Sequence, residues 1–167
     1  MSYLEHKSEA PKSVGCAVVT ISDSRTEETD ESGKLMKEKL AAAGHQVVAY
    51  RLLENEADAI KQTIEELCDE ENINVIITGG GTGLSHRDVT VETISLMLEK
   101  TMDGFGELFR SLSFQEIGTS AMMSRAIGGV LEGRVILCIP GSRGATQLAI
   151  EKIILPEIGH MVREATR

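Results

Sequence analysis

The sequence is poor in aromatic residues and in basic charge, and both shortages argue against a nucleic-acid function. Aromatic residues make up 3% of the 167 residues and tryptophan is absent, so no platform for stacking bases is evident. The chain carries 17 Lys and Arg against 26 Asp and Glu, a formal net charge of −9. Binding to a phosphate backbone needs clustered Lys and Arg, so we expect no nucleic-acid partner.

Cysteine and long apolar runs are also scarce. Cys16, Cys68 and Cys138 are far apart in apolar surroundings, which argues against disulfides and thiolate metal sites and favours a reducing compartment. The four scattered histidines show no zinc-ligand spacing. No apolar run reaches the length of a membrane span, and the amino terminus lacks a secretory signal. We therefore predict a cytoplasmic protein with no membrane partner.

What the sequence does contain is a set of continuous apolar runs rich in β-branched residues, separated by helical patterns. Continuous runs are typical of parallel strands covered on both faces. The predicted strands are Gly15–Ser22, Gln46–Leu53, Asn74–Gly79 and Arg134–Pro140. Strand–helix alternation predicts an α/β fold, a three-layer, doubly wound, mostly parallel sheet with helices on both faces. We expect a flexible tail over residues 1–13 and one domain over 14–167.

The last segment, Ala145–Val162, is apolar on more than one face, and Pro156 predicts a break or kink within it. A helix of this kind is either buried inside the monomer or covered at a subunit interface. The sequence leaves both alternatives open.

Three loops rich in glycine or serine fall at the carboxyl ends of predicted strands: Ser22–Arg25, Gly79–Gly83 and Pro140–Arg143. Ligands of open parallel sheets bind at this edge, and each loop leads toward a helix whose first N–H groups are free to bind an anion. Four glycines within five residues favour close contact with a ligand over a simple turn. The spacing fits neither a P-loop nor a dinucleotide fingerprint. These loops predict a site for a phosphorylated small molecule.

Asp88 opens the next helical pattern and has two interpretations. Asp88 or Thr90 can serve as a helix N-cap, or Asp88 can be a Mg²⁺ ligand, because Mg²⁺ is held by one or two carboxylates plus substrate phosphates. A Ser85–His86–Asp88 triad is weakly supported, since triad members must converge in space. Ser120, Ser124 and Arg125 supply hydroxyl and guanidinium donors for an anion.

Seven segments occur together in an order that resembles the molybdopterin-binding family of molybdenum cofactor biosynthesis. The resemblance runs from about Val14 to the C-terminus, and it implies that AMP is transferred from Mg-ATP to the terminal phosphate of molybdopterin. It also implies self-association as a trimer or a dimer of trimers, and other molybdenum cofactor enzymes as candidate partners. The segments are Thr20–Arg25, Asp30–Gly33, Thr78–Gly83, Arg87–Glu92, Gly104–Arg110, Ser120–Ala126 and Ile139–Ser142.

The resemblance also implies residue roles. Asp88 is the acidic residue tied to magnesium and catalysis, and Ser120, Ser124 and Arg125 lie near molybdopterin. Gly141 and Ser142 lie near the nucleotide. The remaining members of the nucleotide and pterin-phosphate cleft are Ser22, Asp23, Gly80, Gly81, Thr82 and Gly83.

One position departs from the family pattern. Asn55 stands where the adenylyltransferases of the family have a second important aspartate, and an amide brings no negative charge to a metal. Asn55 also suits the N-cap of the next helix, with Asp58 at the third helical position. Two functions therefore stay open: an adenylyltransferase, and a non-catalytic carrier or scaffold that binds molybdopterin. A third, unrelated alternative is a nucleotide-binding regulator of flavodoxin-like fold.

Overall fold

The computed structural model describes residues 2–167, and Met1, which the sequence analysis placed in the tail, lies outside them. Within residues 2–167, six strands and seven α-helices follow one another along the chain. The strands are β1 (Gly15–Ile21), β2 (Gln46–Leu53), β3 (Val75–Gly79), β4 (Lys100–Thr101), β5 (Ile127–Leu131) and β6 (Arg134–Ile139). The helices are α1 (Tyr3–Ser8), α2 (Glu31–Ala42), α3 (Ala57–Cys68), α4 (Thr90–Met97), α5 (Asp103–Ile117), α6 (Arg143–Ala149) and α7 (Leu155–Ala165).

The six strands form one sheet in the order β2-β1-β3-β6-β5-β4. The four predicted strands pair in parallel, whereas β5 and β4 add an antiparallel edge that the sequence analysis missed. Strands β1 and β3 are buried at every position. Strand β2 is half-exposed because it lies at the edge of the sheet, so the expectation of cover on both faces is wrong for β2.

Helices cover both faces of the sheet, which confirms the three-layer architecture. On one face, buried side chains of α2, α5, α6 and α7 pack against the sheet, among them Met36, Phe109 and Ile158. On the other face, α3 and α4 contribute Ile60, Ile64 and Ile94. The apolar stripe of α3 has the three- and four-residue spacing that places it on one helix face.

The apolar C-terminal segment forms α6, a π-helical turn (Ile150–Ile154) and α7, with Pro156 in the first turn of α7. Proline cannot donate the i→i−4 hydrogen bond of a helix, and just before it the N–H of Leu155 donates to Ile150 O, the i→i−5 hydrogen bond of a π-turn. Leu148, Ile150, Ile154 and Ile158 are buried within the monomer. Internal packing therefore accounts for most of the apolar faces of this segment.

The amino-terminal segment, predicted as a flexible tail over 1–13, contains helix α1. Ser2 and Glu5 form a capping box at its start, which supplies partners for two N–H groups that would otherwise lack them. Lys7 Nζ lies 2.5 Å from Glu157 Oε1 of α7. This helix was not predicted, because the ion pairs that dock it on α7 join opposite ends of the chain.

All three cysteines are free and buried, which agrees with the predicted lack of disulfides. Burial raises the pKa of the Cys16 and Cys138 thiols to about 12, so both are protonated, unreactive core residues. Within residues 2–167, no helix has the length and apolar character needed to cross a membrane.

Candidate functional site

The three predicted loops converge at the carboxyl edge of the sheet. Strands β1, β3 and β6 are adjacent, and Gly79 of β3 pairs with Thr20 on one side and Ile139 on the other, so their ends are level. The order of the strands reverses at β1, because β2 is added on one side of β1 and β3 on the other. Such a switch point is where ligands of open α/β sheets bind. A cleft of about 390 Å³ opens there.

Eight of the predicted site residues line this cleft, and they come from three loops and the segment after α5. Residues Ser24, Arg25, Met123 and Pro140 complete part of its wall. The predicted residues in the lining are Ser22, Gly80, Gly81, Thr82, Gly83, Asp88, Ser124 and Gly141.

The glycine loop has a conformation that side chains would prevent. Gly80 and Gly81 have φ of 109° and 67°, in the left-handed region that L-residues rarely adopt. A Cβ atom on Gly80 would lie 2.1 Å from the backbone oxygen of Ile21, and one on Gly141 would lie 3.0 Å from Gly80 Cα. The glycines thus let the three loops touch through their backbones.

Thr90 fixes the glycine loop to the start of α4. Its hydroxyl donates to Gly80 O at 2.9 Å, and its backbone N–H donates to Gly81 O at 3.0 Å. The N-cap of α4 is Val89, with no side-chain cap. The N-cap interpretation of Asp88 and Thr90 is therefore wrong, and Thr90 shapes the loop.

Asp88 lies against Gly83, where a Cβ atom would come within 2.6 Å of Asp88 Oδ2. That oxygen accepts a hydrogen bond from Ser85 N at 3.2 Å. The Ser85 hydroxyl accepts from Arg87 N, and His86 is exposed. Ser85, His86 and Asp88 are therefore not linked as a triad.

The loops after β1 and β6 are tied together through Gly141. Its carbonyl oxygen accepts hydrogen bonds from Arg25 Nη2 and Ser32 Oγ, each at 2.8 Å. The Ser22 hydroxyl accepts from the backbone N–H groups of Ser24 and Arg25 at 3.3 and 3.2 Å. Ser32 is buried on α2. It was not predicted as a site residue, because its hydrogen bond to Gly141 joins two segments that are far apart in the sequence.

Arg125 holds the glycine loop through the carbonyl groups of Thr82 and Gly83. Its Nε donates to Thr82 O at 2.9 Å and its Nη2 to Gly83 O at 2.6 Å. The guanidinium also pairs with Glu92, and this hydrogen bond lowers the pKa of the Glu92 carboxyl. Arg125, predicted to contact a ligand, is thus engaged with backbone carbonyls and a carboxylate.

Asp23 bridges the loops after β1, β2 and β3 at the rim of the site. Its Oδ1 accepts from Asn55 N at 2.8 Å, and its Oδ2 accepts from Arg87 Nη2 at 2.9 Å. The Asn55 hydrogen bond, followed by that of Arg87, lowers the pKa of the Asp23 carboxyl. Asp23 is exposed and does not line the cleft.

Asn55 is not the N-cap of α3, because Glu56 occupies that position and makes no side-chain cap. Its Oδ1 instead points toward Gly81, where a Cβ atom would lie 2.6 Å away. This oxygen is buried and has no hydrogen-bond partner among the described residues. Buried polar atoms without partners are rare, so Asn55 behind the glycine loop is an unusual feature of the site.

Four predicted residues lie outside the cleft: Asp23 and Arg125, described above, and Ser120 and Ser142. Ser120 is exposed in a 3₁₀ turn over Gly118–Met123. Ser142 is the N-cap of α6, with its hydroxyl accepting from Ala145 N at 3.3 Å. Beside the cleft, a second cavity of about 440 Å³ lies between α4, α5 and β5, and Ser124 lines both.

The comparisons with known proteins agree with this geometry. Residues 17–160 match the family model described as a probable molybdopterin binding domain, and the chain belongs to that family. The chain is 50% identical over 168 residues to molybdenum cofactor biosynthesis protein B of Bacillus cereus, covering 100% of this chain and 99% of that protein. It is 48% identical over 165 residues to the Bacillus subtilis protein of the same name, covering 98% and 97%.

Solved structures show the same fold. A crystal structure of molybdenum cofactor biosynthesis protein B has a TM-score of 0.90 at 50% identity, covering 94% of this chain and 98% of that one. The tungsten cofactor synthesizing protein MoaB from Pyrococcus furiosus has a TM-score of 0.85 at 32% identity, covering 95% and 100%. The predicted family and fold class are therefore confirmed.

Proposed function

We propose that this chain acts in molybdenum cofactor biosynthesis by binding molybdopterin and transferring AMP to its terminal phosphate from Mg-ATP. The observation that carries the proposal is the cleft at the β1/β3 switch point, bordered by three backbone-paired loops and by Asp88. Near-complete alignment with relatives named molybdenum cofactor biosynthesis protein B supports the pathway. The cytoplasm is the proposed location.

The reaction suits a site without a protein nucleophile. A terminal phosphate oxygen of molybdopterin attacks the α-phosphorus of ATP, a new P–O–P bond forms, and pyrophosphate leaves with the electrons of the broken bond. Such transfers depend mainly on positioning and on neutralising charge. The backbone N–H groups of Gly81, Thr82 and Gly83, which have no acceptor among residues 2–167, are available to orient phosphate oxygens. Thr90 and Arg125 hold that loop in place.

The residues fit a magnesium ion. Asp88 offers an oxygen, Oδ1, that has no hydrogen-bond partner among residues 2–167, and Mg²⁺ accepts one carboxylate together with substrate phosphates. Bound there, Mg²⁺ would neutralise charge on the phosphates. The adjoining cavity beside Ser124 has room for the pterin.

The test is an assay of the purified chain with molybdopterin and Mg-ATP, measuring pyrophosphate and adenylylated pterin. We expect Asp88→Asn to abolish turnover while the melting temperature changes little, because Asp88 accepts only one long hydrogen bond. Full activity of this variant would remove Asp88 from the mechanism.

A second candidate function, a non-catalytic carrier of molybdopterin, is favoured by Asn55. The buried amide oxygen of Asn55 lies beside the glycine loop and carries no charge. A carboxylate at this position would add negative charge for a metal. If the wild type binds molybdopterin without turnover and Asn55→Asp gains turnover, the carrier function is supported. Turnover by the wild type that Asn55→Asp leaves unchanged would exclude it.

A further inference from the structure

The helices at the two ends of the chain bring together three metal-ligating side chains, far from the cleft. His6 of α1 lies beside His160 and Glu164 of α7, and one ligand atom from each residue lies within 4.8 Å of the others. The two imidazole rings meet edge to face with centroids 6.1 Å apart. We propose that His6, His160 and Glu164 bind a divalent transition-metal cation of the Zn²⁺ type, which pins α1 to α7.

The distances suit such an ion. Ligand atoms at about 2.1 Å from a tetrahedral metal lie roughly 3.4 Å from one another, and His6 Nδ1 is 3.2 Å from Glu164 Oε1. Two imidazoles and one carboxylate form a donor set that Zn²⁺ accepts in proteins, with water in the fourth position. Small side-chain rotations therefore complete the coordination.

A second observation is the partner of His160. Its Nδ1 lies 3.0 Å from Glu157 Oε2, one turn earlier on α7. A carboxylate on one ring nitrogen fixes the ring and leaves Nε2 with the lone pair, as is usual for histidines that ligate metals. Lys7 Nζ lies 2.5 Å from the other oxygen of Glu157, so this supporting carboxylate is itself held in place.

Two arginines also pair with Glu164. Glu164 also accepts from Arg163 Nη1 at 2.6 Å and Arg167 Nη1 at 3.0 Å. Each carboxylate oxygen has two lone pairs and can serve a cation and a donor together, but the two guanidinium groups compete with the metal. His6 and His160 have 22% and 23% of their side chains exposed, which leaves a path for the ion.

The test is a titration of the metal-free full chain with Co²⁺, followed by optical absorption, and with Zn²⁺, followed by calorimetry. We expect one saturable site per chain, with the visible absorption of a tetrahedral Co²⁺ complex. His6→Ala and His160→Ala should each abolish saturable binding. Glu157→Gln should weaken it by about 10- to 100-fold, the usual effect of removing a carboxylate behind a ligating histidine.

His86→Ala is the matched control, because His86 is an exposed histidine outside the cluster, and it should bind as the wild type does. Zn²⁺ should also raise the melting temperature of the wild type and of this control, and circular dichroism should show that each variant is folded. Absence of saturable binding by the wild type, or binding that survives both His6→Ala and His160→Ala, would overturn the proposal.

Discussion

Gly80 is the residue whose replacement the site should tolerate least. Its φ of 109° is costly for alanine, and the added Cβ would lie 2.1 Å from Ile21 O, a backbone atom that cannot move aside alone. We expect Gly80→Ala to lower the free energy of unfolding by about 1–3 kcal/mol or more and to weaken ligand binding. Chemical denaturation measures the first effect.

Gly144→Ala is the control for this change. Gly144 lies in the first turn of α6 with open space around its Cβ position, and alanine in a helix is favoured over glycine by up to about 1 kcal/mol. This variant should be as stable as the wild type or slightly more so. Equal stability of the two variants would show that the glycine loop adjusts to a side chain.

Asp30 should make stability depend on acid pH. This buried N-cap of α2 accepts from Gly33 N at 2.9 Å and from Tyr50 Oη at 2.6 Å. Burial raises its pKa, but these hydrogen bonds and the charge of Arg25 outweigh burial and leave the pKa below the ordinary value. Because the pKa of Asp30 is lower in the folded chain than in the unfolded chain, where it is about 3.9, the ionised carboxylate stabilises the fold above that pH. This stabilisation is lost as the pH falls through the pKa of the folded state.

We therefore expect Asp30→Asn to cost about 1–3 kcal/mol at neutral pH. The gap in melting temperature between wild type and variant should narrow as pH falls below about 4. Asp58→Asn, an exposed aspartate on α3, should show no such change. If the difference in melting temperature between wild type and Asp30→Asn stays constant down to the pH of acid unfolding, the pH dependence does not come from Asp30.

Residues that line the cleft were easier to predict than those that support its loops. The glycines and Ser22 follow strand ends closely, and Asp88 comes just before α4, so sequence order alone places them at one edge. Ser32 and Arg25 act through Gly141, more than a hundred residues away. His6 and His160 likewise meet only in the folded chain, which spacing along the sequence cannot show.

At the scale of elements, the central parallel strands were predictable because burial on both faces demands uninterrupted apolar residues. Strand β5 was missed since Gly128 and Gly129 interrupt its apolar pattern, and β4 is only two residues long. A Cβ on Gly129 would lie 2.3 Å from Lys100 O. These glycines therefore permit β4 to pair with β5. The same glycines interrupt the apolar pattern by which β5 could have been predicted.

The link between the segment before β5 and the glycine loop gives a prediction for Arg125. A lysine cannot donate to Thr82 O, Gly83 O and Glu92 at once, because it lacks the planar fork of arginine. We expect Arg125→Lys to speed amide hydrogen exchange at Gly80 and Thr90, whose N–H groups donate to Ile139 O and Gly81 O, by roughly tenfold without any ligand, since a charge-assisted hydrogen bond contributes about 1.5–3 kcal/mol. Arg51→Lys on the exposed edge strand is the control. Unchanged exchange would mean that the loop is rigid without Arg125.

At the scale of the whole molecule, the topology explains why the order of motifs was informative. The switch point between β1 and β3 brings loops from three separate parts of the sequence into one cleft. Each loop alone is compatible with an ordinary turn. Their common position at the carboxyl edge follows from parallel strands joined by right-handed crossovers, so the prediction of the fold carried with it the prediction that these loops meet.

The surface of the whole molecule leads to a prediction about self-association, which the family resemblance implies. A largely apolar groove of about 510 Å³ lies between α5, β5 and α7, lined in part by Phe105, Leu108, Val130 and Met161. Leu108 is 48% exposed there, and apolar patches of this kind commonly mark protein contacts. We expect light scattering to give three or six times the chain mass of 18.1 kDa.

Leu108→Glu should shift the protein toward the monomer, because a carboxylate buried in an apolar contact without a partner is costly. Gln115→Glu places the same charge at another exposed position of α5 and should leave the mass unchanged. A wild-type mass of one chain at micromolar concentration would contradict self-association. If the Leu108→Glu variant keeps the mass of the wild-type assembly, the subunits contact each other through another face, and this groove stays exposed in the oligomer.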